Sequence, residues 1–538
     1  MTIARYLKQV KIFQKIFLST LFIAIIGIQA TSAQDKDPCI LAHHLYKTAQ
    51  KYHYAPRPLD DSLSKFVYDQ LLDWLDPYEL IFTSDDQAVL SVYQYQLDES
   101  IKEQSCEFLD QITNVYQKRM EMADSLLQSW VQEKPDFSKS EVIHFSSEKE
   151  KIQIKSFSAR WRKWMKLRTL SASLSDTSAI EKRTAPDYLQ ELYQSALQSE
   201  VCRLQAKLNF SGGLRKYIGY RMMKALAFAY DPHTVYLQPE EKSQFEDAIS
   251  KDALSFGFEI TRNLLGEIEI FQIIPGGPAW DSNLLHEGDV ILEASSGKGL
   301  VKDFSCLASE EVFKFIYSPS INEAVFRIRK SSGKEIQVNL EKKKIDVEEN
   351  VIKSFILKGD RKIAYIKLPS FYAPWRPEEY FSKGCSNDVA KELIRLKREG
   401  IEALVFDLRD NGGGSVMEAI RLAGIFINFG ALGIMQQRDE VPETLKDLDR
   451  GIIYEDPIVL LVNKQSASAS EIFASALQDH NRALIVGSPT YGKASEQEII
   501  PLNAHAYGKD DLRDTGAFGY VKLTLSQFFR VTGESNQK

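Results

Sequence analysis

A chain of 538 residues is too long for a single hydrophobic core, so roughly two to four domains are expected. Its 44% hydrophobic and 26% charged content are those of an ordinary globular protein. The formal net charge of −7 becomes −11 once the four basic residues of the first 33 are removed, which argues against nucleic acid as a partner.

The N-terminus reads as a secretory signal over residues 1–33. Arg5, Lys8, Lys11 and Lys15 precede an apolar run from Ile16 to Ile28, and Ala30-Thr31-Ser32-Ala33 supplies small residues before a cut at Gln34. That run is short for a membrane span. The expectation is a mature protein that is soluble or peripheral to the membrane and periplasmic or otherwise extracytoplasmic. Five scattered cysteines allow at most two disulfides and require none, so buried thiols are expected. No Cys/His cluster has metal-ligand spacing, and neither a metal nor a cofactor is expected.

Residues 39–245 read as a helical domain. Leu63, Val67, Leu71, Trp74 and Leu75 recur at helical steps, as do Leu189, Leu192, Tyr193, Ala196 and Leu197. Ser171 to Thr184 reads as a loop, with Pro186 suited to the first turn of the next helix. Arg160-Trp161-Arg162-Lys163-Trp164 reads as an amphipathic helix with buried tryptophans. Residues 250–345 change character. Short strands are predicted at 257–261, 268–274, 290–294, 324–329 and 336–340, with one helix at 309–317. The run Lys342-Lys343-Lys344 reads as a solvated junction. From 350 to 538 strands and helices alternate: strands at 363–368, 403–407, 458–462, 483–486 and 520–531, and helices at 388–398, 416–426 and 470–478.

Two segments carry chemistry. Asp407-Leu408-Arg409-Asp410-Asn411-Gly412-Gly413-Gly414 follows a buried strand and opens a helix. Its glycines let backbone N–H groups face a ligand, so it suits a phosphate cradle, an oxyanion hole or a purely structural turn. Gln465-Ser466-Ala467-Ser468-Ala469-Ser470-Glu471 places three serines at a helix start, with Ser470 the natural cap. Lys493, 25 residues after Ser468, is either a solvated loop lysine or a base for a serine. His480, with Asp479 beside it, is the rival base, expected to point outward.

The ordered set Ile363 to Tyr372, Asp407 to Gly414, Ser466 to Glu471 and Tyr491 to Gln497, preceded by Asp231-Pro232-His233-Thr234-Val235-Tyr236-Leu237, resembles the tail-specific or C-terminal processing proteases. These are serine peptidases with a Ser-Lys dyad and a PDZ domain. The resemblance implies a multidomain α+β fold: a helical N-terminal domain, a PDZ-like β-rich module and a crotonase-like α/β peptidase core. It places the nucleophile on Ser468, the general base on Lys493 and the lysine-orienting amide on Gln497. The oxyanion hole falls on the N–H of Ala469 and of Gly413 or Gly414. A carboxylate-binding loop falls on Ser255, Phe256, Gly257 and Phe258, with Ser255 where many PDZ domains have glycine. The substrates implied are proteins or peptides with accessible C-termini, in the processing or degradation of envelope proteins, with an envelope adaptor as a further partner.

Chemistry supports that mapping. Lys493 must be neutral to accept a proton, so it needs desolvation. Gln497 can orient it without adding charge, whereas an inward Glu496 would hold it protonated; Glu496 is expected to point outward. Relatives usually continue beyond Tyr520–Val531, so a truncated or short variant is expected. The alternative is a non-catalytic or truncated peptide-tail-binding protein. The absence of Gly-x-Ser-x-Gly disfavours an α/β hydrolase of small esters.

Overall fold

The computed structural model describes residues 37–144, 153–175, 185–239, 241–242, 254–263, 266–274, 276–297, 299, 301–304, 306–307, 309–318, 320–344, 352–373, 384–446, 451–502 and 518–537. The predicted signal segment, residues 1–33, lies outside them.

The first region is helical: α1 (Pro38–Tyr52), α2 (Asp61–Leu75), α3 (Ser84–Leu90), α4 (Leu97–Glu103), α5 (Glu107–Ser129), α6 (Phe157–Ser175), α7 (Pro186–Leu208) and α8 (Leu214–Phe228). Local chemistry sets several starts. The Asp37 carboxylate accepts from Cys39 N ahead of α1, Asp60 does the same for Leu63 N, and Thr83 and Asp86 form a reciprocal capping box. Pro186 occupies the first turn of α7. The basic-aromatic run lies within α6, with Trp161 and Trp164 buried and the Arg162 guanidinium 4.3 Å from the Trp130 ring centre. Helix α6 continues to Ser175, so the start of the expected loop at Ser171 is helical. Thr169 returns its hydroxyl to the Met165 carbonyl there, which keeps a polar residue compatible with a buried turn. Residues 176–184 lie outside the described residues.

Strand β1 (Val235–Leu237) leaves the helices, and a compact module follows: β2 (Leu254–Ser255), β3 (Phe258–Arg262), β4 (Ile268–Ile273), β5 (Val290–Ser296), β6 (Val301–Asp303), β7 (Glu323–Arg329), β8 (Glu335–Glu341) and β9 (Lys343–Lys344), with helices α9 (Pro278–Ser282) and α10 (Ser309–Ile316). Its main sheet runs β3-β4-β5-β7-β8, so β3 is an edge strand. Phe256, Phe258, Val312, Phe315 and Phe326 share its core. The lysine run is solvated only in part, at Lys343 and Lys344. Lys342 is buried, donates to the Ser318 carbonyl and lies over the Phe256 ring, while Lys343 and Lys344 pair with Ser255 and Leu254.

The last region holds two sheets. Strands β10 (Lys353–Lys358), β11 (Lys362–Lys367), β12 (Ala403–Asp407), β15 (Ile458–Val462) and β16 (Leu484–Gly487) form one sheet in the order β10-β11-β12-β15-β16. It is parallel from β11 onward. The helices of this region are α11 (Cys385–Arg398), α12 (Val416–Gly424) and α13 (Ala469–Asp479). Between and after these strands come β13 (Ala431–Gln437), β14 (Glu443–Lys446), β17 (Ser495–Pro501) and β18 (Tyr520–Phe529). These join β1 in the second sheet, β1-β18-β13-β14, with β17 also on β18.

That second sheet connects two cores. Val521, Leu523, Ile500 and Leu502 are buried with the helices, in one cluster with Leu45, Leu226 and Tyr236. Phe528 and Ala494 are buried with the parallel sheet instead. Four cysteines are paired, Cys39–Cys106 within the helical region and Cys202–Cys306 between α7 and the β-rich module; Cys385 is a buried thiol. Buried thiols were expected, so the pairing corrects that reading for four of the five. No helix among the described residues is long and apolar enough to cross a membrane.

Candidate active site

The parallel sheet delivers two tight turns to the same place. The turn after β12 begins at Asp407, whose carboxylate accepts from Arg409 and from the Tyr365 hydroxyl. Burial alone would raise the Asp407 pKa; these bonds outweigh it and hold the carboxyl below its usual range. Asn411 is buried and bridges outward from the turn. Its Nδ2 donates to the Leu368 carbonyl, its Oδ1 accepts from Gly413 N, and its carbonyl accepts from Ala467 N. Gly413 has φ +104°, and a Cβ there would lie 2.7 Å from the Ala467 oxygen and 2.9 Å from Ser468 Cβ. Only glycine permits this approach of the two turns.

The turn after β15 carries the three serines, and their surroundings separate them. Ser466 Oγ donates to the Leu408 carbonyl and Ser470 Oγ to the Asn411 carbonyl; both residues are fully buried. Ser470 is therefore not the helix cap expected from sequence. The N-cap is Ser468, held at φ 56°, ψ −116°. A non-glycine residue in such a conformation costs about 1–3 kcal/mol and marks a position that the surrounding structure enforces. Unlike those of Ser466 and Ser470, the Ser468 hydroxyl donates to no carbonyl among the described residues; Ser468 instead forms a capping box with Glu471. The N–H groups of Ala469 and Gly414 make no hydrogen bond among the described residues, whereas that of Gly413 is taken by Asn411.

Lys493 reaches the same place from the loop before β17. Both turns are clamped by Glu471, which is 3% exposed. Its Oε2 accepts from Ser468 N at 2.9 Å and Lys493 N at 2.8 Å, and its Oε1 from Gly492 N at 2.8 Å and Thr490 Oγ1 at 2.7 Å. Ser468 and Lys493 line one small cleft with Ile472, Phe528, Leu432 and Asn536. Sequence reasoning assigned Glu471 no role beyond the first turn of its helix. The signal was the spacing Ser468-x-x-Glu471, a capping-box pattern. Asn411 was missed as well.

Burial lowers the Lys493 pKa below that of an ordinary lysine, and the positive charge of Lys522 adds to this; Asp231, Glu471 and Glu496 oppose it. The Lys493 amine donates to the Ser495 carbonyl at 2.6 Å. The Gln497 amide does not bond to it here; its Nε2 donates to Ser495 Oγ at 2.9 Å and Thr524 Oγ1 at 3.2 Å. Glu496 is half-buried and accepts from the Ser526 hydroxyl at 2.8 Å, rather than pointing outward. A β-bulge between Glu496 and Gln497 redirects the strand there. His480 caps the far end of α13, about 18 Å along the axis from Ser468 at the helical rise. It bonds the Ala431 carbonyl, and Asp479 pairs with Arg530. Neither can serve Ser468.

The loop Ser255–Phe258 lies in the β-rich module, immediately before edge strand β3. Ser255 Oγ accepts from Gly257 N, Gly257 has φ +83°, and Phe256 and Phe258 are buried in the module core.

Comparison with known proteins adds family relationships. A family model described as peptidase family S41 matches residues 362–538, and one described as the tail specific protease N-terminal domain matches residues 45–240. Over 497 residues the chain is 30% identical to the tail-specific protease of Haemophilus influenzae, covering 90% of this chain and 66% of that protein. Over 330 residues it is 29% identical to the carboxy-terminal-processing protease of Bartonella bacilliformis, covering 59% and 66% respectively. A solved photosystem II D1 C-terminal processing protease aligns at 20% identity over 69% of this chain and 90% of that one, with a TM-score of 0.36. The chain thus spans just under two thirds of the length of these two curated relatives.

Proposed function

Because the chain belongs to peptidase family S41, that of the tail-specific and carboxy-terminal-processing proteases, we propose that it is a serine endopeptidase using a Ser468–Lys493 dyad. One observation carries this reading: the serine whose hydroxyl is not spent on a neighbouring carbonyl shares a cleft with a partly buried lysine, and one buried carboxylate fixes both.

The neutral Lys493 amine turns from the Ser495 carbonyl to Ser468 Oγ and takes its proton as the oxygen attacks the substrate carbonyl carbon. The resulting oxyanion is stabilised by the N–H of Ala469 and of Gly414, since that of Gly413 is taken by Asn411. The Lys493 ammonium then protonates the leaving amine, and the C–N bond breaks to leave an acyl-Ser468. A water molecule, deprotonated by Lys493, attacks that ester and restores the hydroxyl. Gln497, bonded to the hydroxyl of the same Ser495 whose carbonyl holds the amine, orients the amine during its turn.

The β-rich module serves as the PDZ-like capture domain of this reading. A protein tail adds to the free edge of β3, with its carboxylate at the backbone of Ser255–Phe258. The parallel sheet and its helices correspond to the crotonase-like core. Substrates are envelope proteins with accessible C-termini, with an envelope adaptor as a further partner. The site is extracytoplasmic after loss of residues 1–33, and the two cysteine pairs suit an oxidising compartment.

The test is cleavage of an unfolded protein with an apolar C-terminus by wild type, Ser466→Ala, Ser468→Ala and Lys493→Ala. Cleavage by the first two alone is expected. Equal cleavage by all four would sink the dyad, and tail binding without cleavage by any would favour the non-catalytic binder.

A further inference from the structure

The helical region contacts the lysine-bearing sheet through a continuous polar chain. His53, 2% exposed just beyond α1, accepts from Ala55 N on Nδ1 at 3.0 Å, so its Nε2 carries the proton that it donates to Asp231 Oδ2 at 2.7 Å. Asp231 also accepts from the Thr234 hydroxyl at 2.7 Å and from the backbone of His233 and Thr234. The Thr234 oxygen in turn accepts from Thr524 N at 3.4 Å, and Tyr54 N donates to the Thr524 carbonyl at 2.9 Å. The Thr524 hydroxyl then receives the Gln497 amide, which also holds Ser495, whose carbonyl holds the Lys493 amine. Thr234 and Thr524 are both buried, so water does not replace these partners.

Resting on the dyad reading above, we propose that His53, Asp231, Thr234 and Thr524 are positioning residues for the general base. They act through Gln497 and Ser495 to set where the Lys493 amine sits. The helical region is then part of the catalytic unit, and not only a platform beside it.

Charge gives this arrangement a second signature. The charged groups acting on Lys493 are Asp231 from the turn before β1, Lys522 from β18, Glu471 from α13 and Glu496 from β17; His233, beside Asp231, has its own pKa lowered by burial and by Lys493. Asp231 stays ionised: burial opposes its charge, but the bonds from His53, Thr234 and His233 hold its pKa well below the usual range. Its negative charge favours the protonated amine, so removing that charge eases deprotonation of Lys493.

The experiment compares steady-state cleavage by the full chain carrying Thr234→Val, Thr524→Val, their Thr→Ser counterparts and Asp231→Asn, with Ser468→Ala as control. The valine variants should lose at least about tenfold in kcat with KM little changed, as misplacement of a reacting group does. The serine variants, which keep the hydroxyl, should recover most of that loss. Asp231→Asn should move the acid limb of the kcat profile to lower pH, whereas a merely structural role would lower the plateau without moving the limb. Full kcat in both valine variants would overturn the proposal, as would loss that serine does not rescue or an unmoved acid limb in Asp231→Asn. Activity retained in Ser468→Ala would instead overturn the dyad itself.

Discussion

Glu471 gathers four donors onto one buried carboxylate, and two of them are the backbone amides of the proposed nucleophile and base. A neutral amide in its place accepts on one oxygen only and presents N–H groups to N–H groups. Glu471→Gln is therefore expected to leave buried donors unpaired at a cost of about 1–3 kcal/mol. The same change should reduce kcat far more than KM, readable from a melting curve and steady-state kinetics together. The lysine supplies the pH prediction. Burial, the largest influence, and Lys522 depress its pKa below 10.5, and only the deprotonated amine can accept the Ser468 proton. Activity should thus rise as pH passes through that depressed pKa and fall below it. A kcat/KM profile without such an acid limb would exclude Lys493 as the base. Sequence made Ser468 and Lys493 legible through several ordered motifs together. It could not separate the roles of Ser466, Ser468 and Ser470, because that depends on which hydroxyls meet the Leu408 and Asn411 carbonyls, and those belong to a turn nearly 60 residues away.

Each turn also depends on the element that presents it. The Gly-rich turn touches the serine turn at Gly413, where a methyl group would clash with backbone of the neighbouring turn and φ is +104°. Gly413→Ala should both destabilise the fold and abolish cleavage, because relief of the clash moves Ser468 itself. Retention of wild-type kcat and melting temperature would show that the turns do not press on each other. Strands β12 and β15 and the body of α13 were readable from apolar runs and small residues. Strand β17 was not, since Ser495-Glu496-Gln497-Glu498 is polar on both faces and pairs only because β18 lies beside it. The register of β1 on β18 was equally hidden: Val235 meets Lys522 across a separation no local pattern encodes.

At the scale of the whole molecule, the second sheet is shared property of two cores. Val521 and Leu523 are completely buried among the helices, while Phe528 on the same strand is buried against the parallel sheet. Leu523→Ala should cost about 2–5 kcal/mol, in the range of other buried leucines. Because β18 serves both sides, the helical and peptidase regions should lose stability together, seen as one coincident shift in hydrogen exchange on α8 and β15. Loss confined to the helices would mean the cores are independent. The broad division into helical, β-rich and α/β regions was visible in composition and periodicity. The joining of the first and last regions was not, because it rests on contacts between residues far apart in the chain.

The central claim is that Lys493 activates Ser468, and covalent labelling tests it most directly. The full chain is treated with a fluorophosphonate, which reacts with an activated serine oxygen, and the modified residue is located by peptide mass spectrometry across a pH series. One adduct at Ser468 is predicted, forming faster as pH rises and absent in Lys493→Ala. An adduct at another serine, or labelling of Ser468 at an undiminished rate without the lysine, would contradict the account.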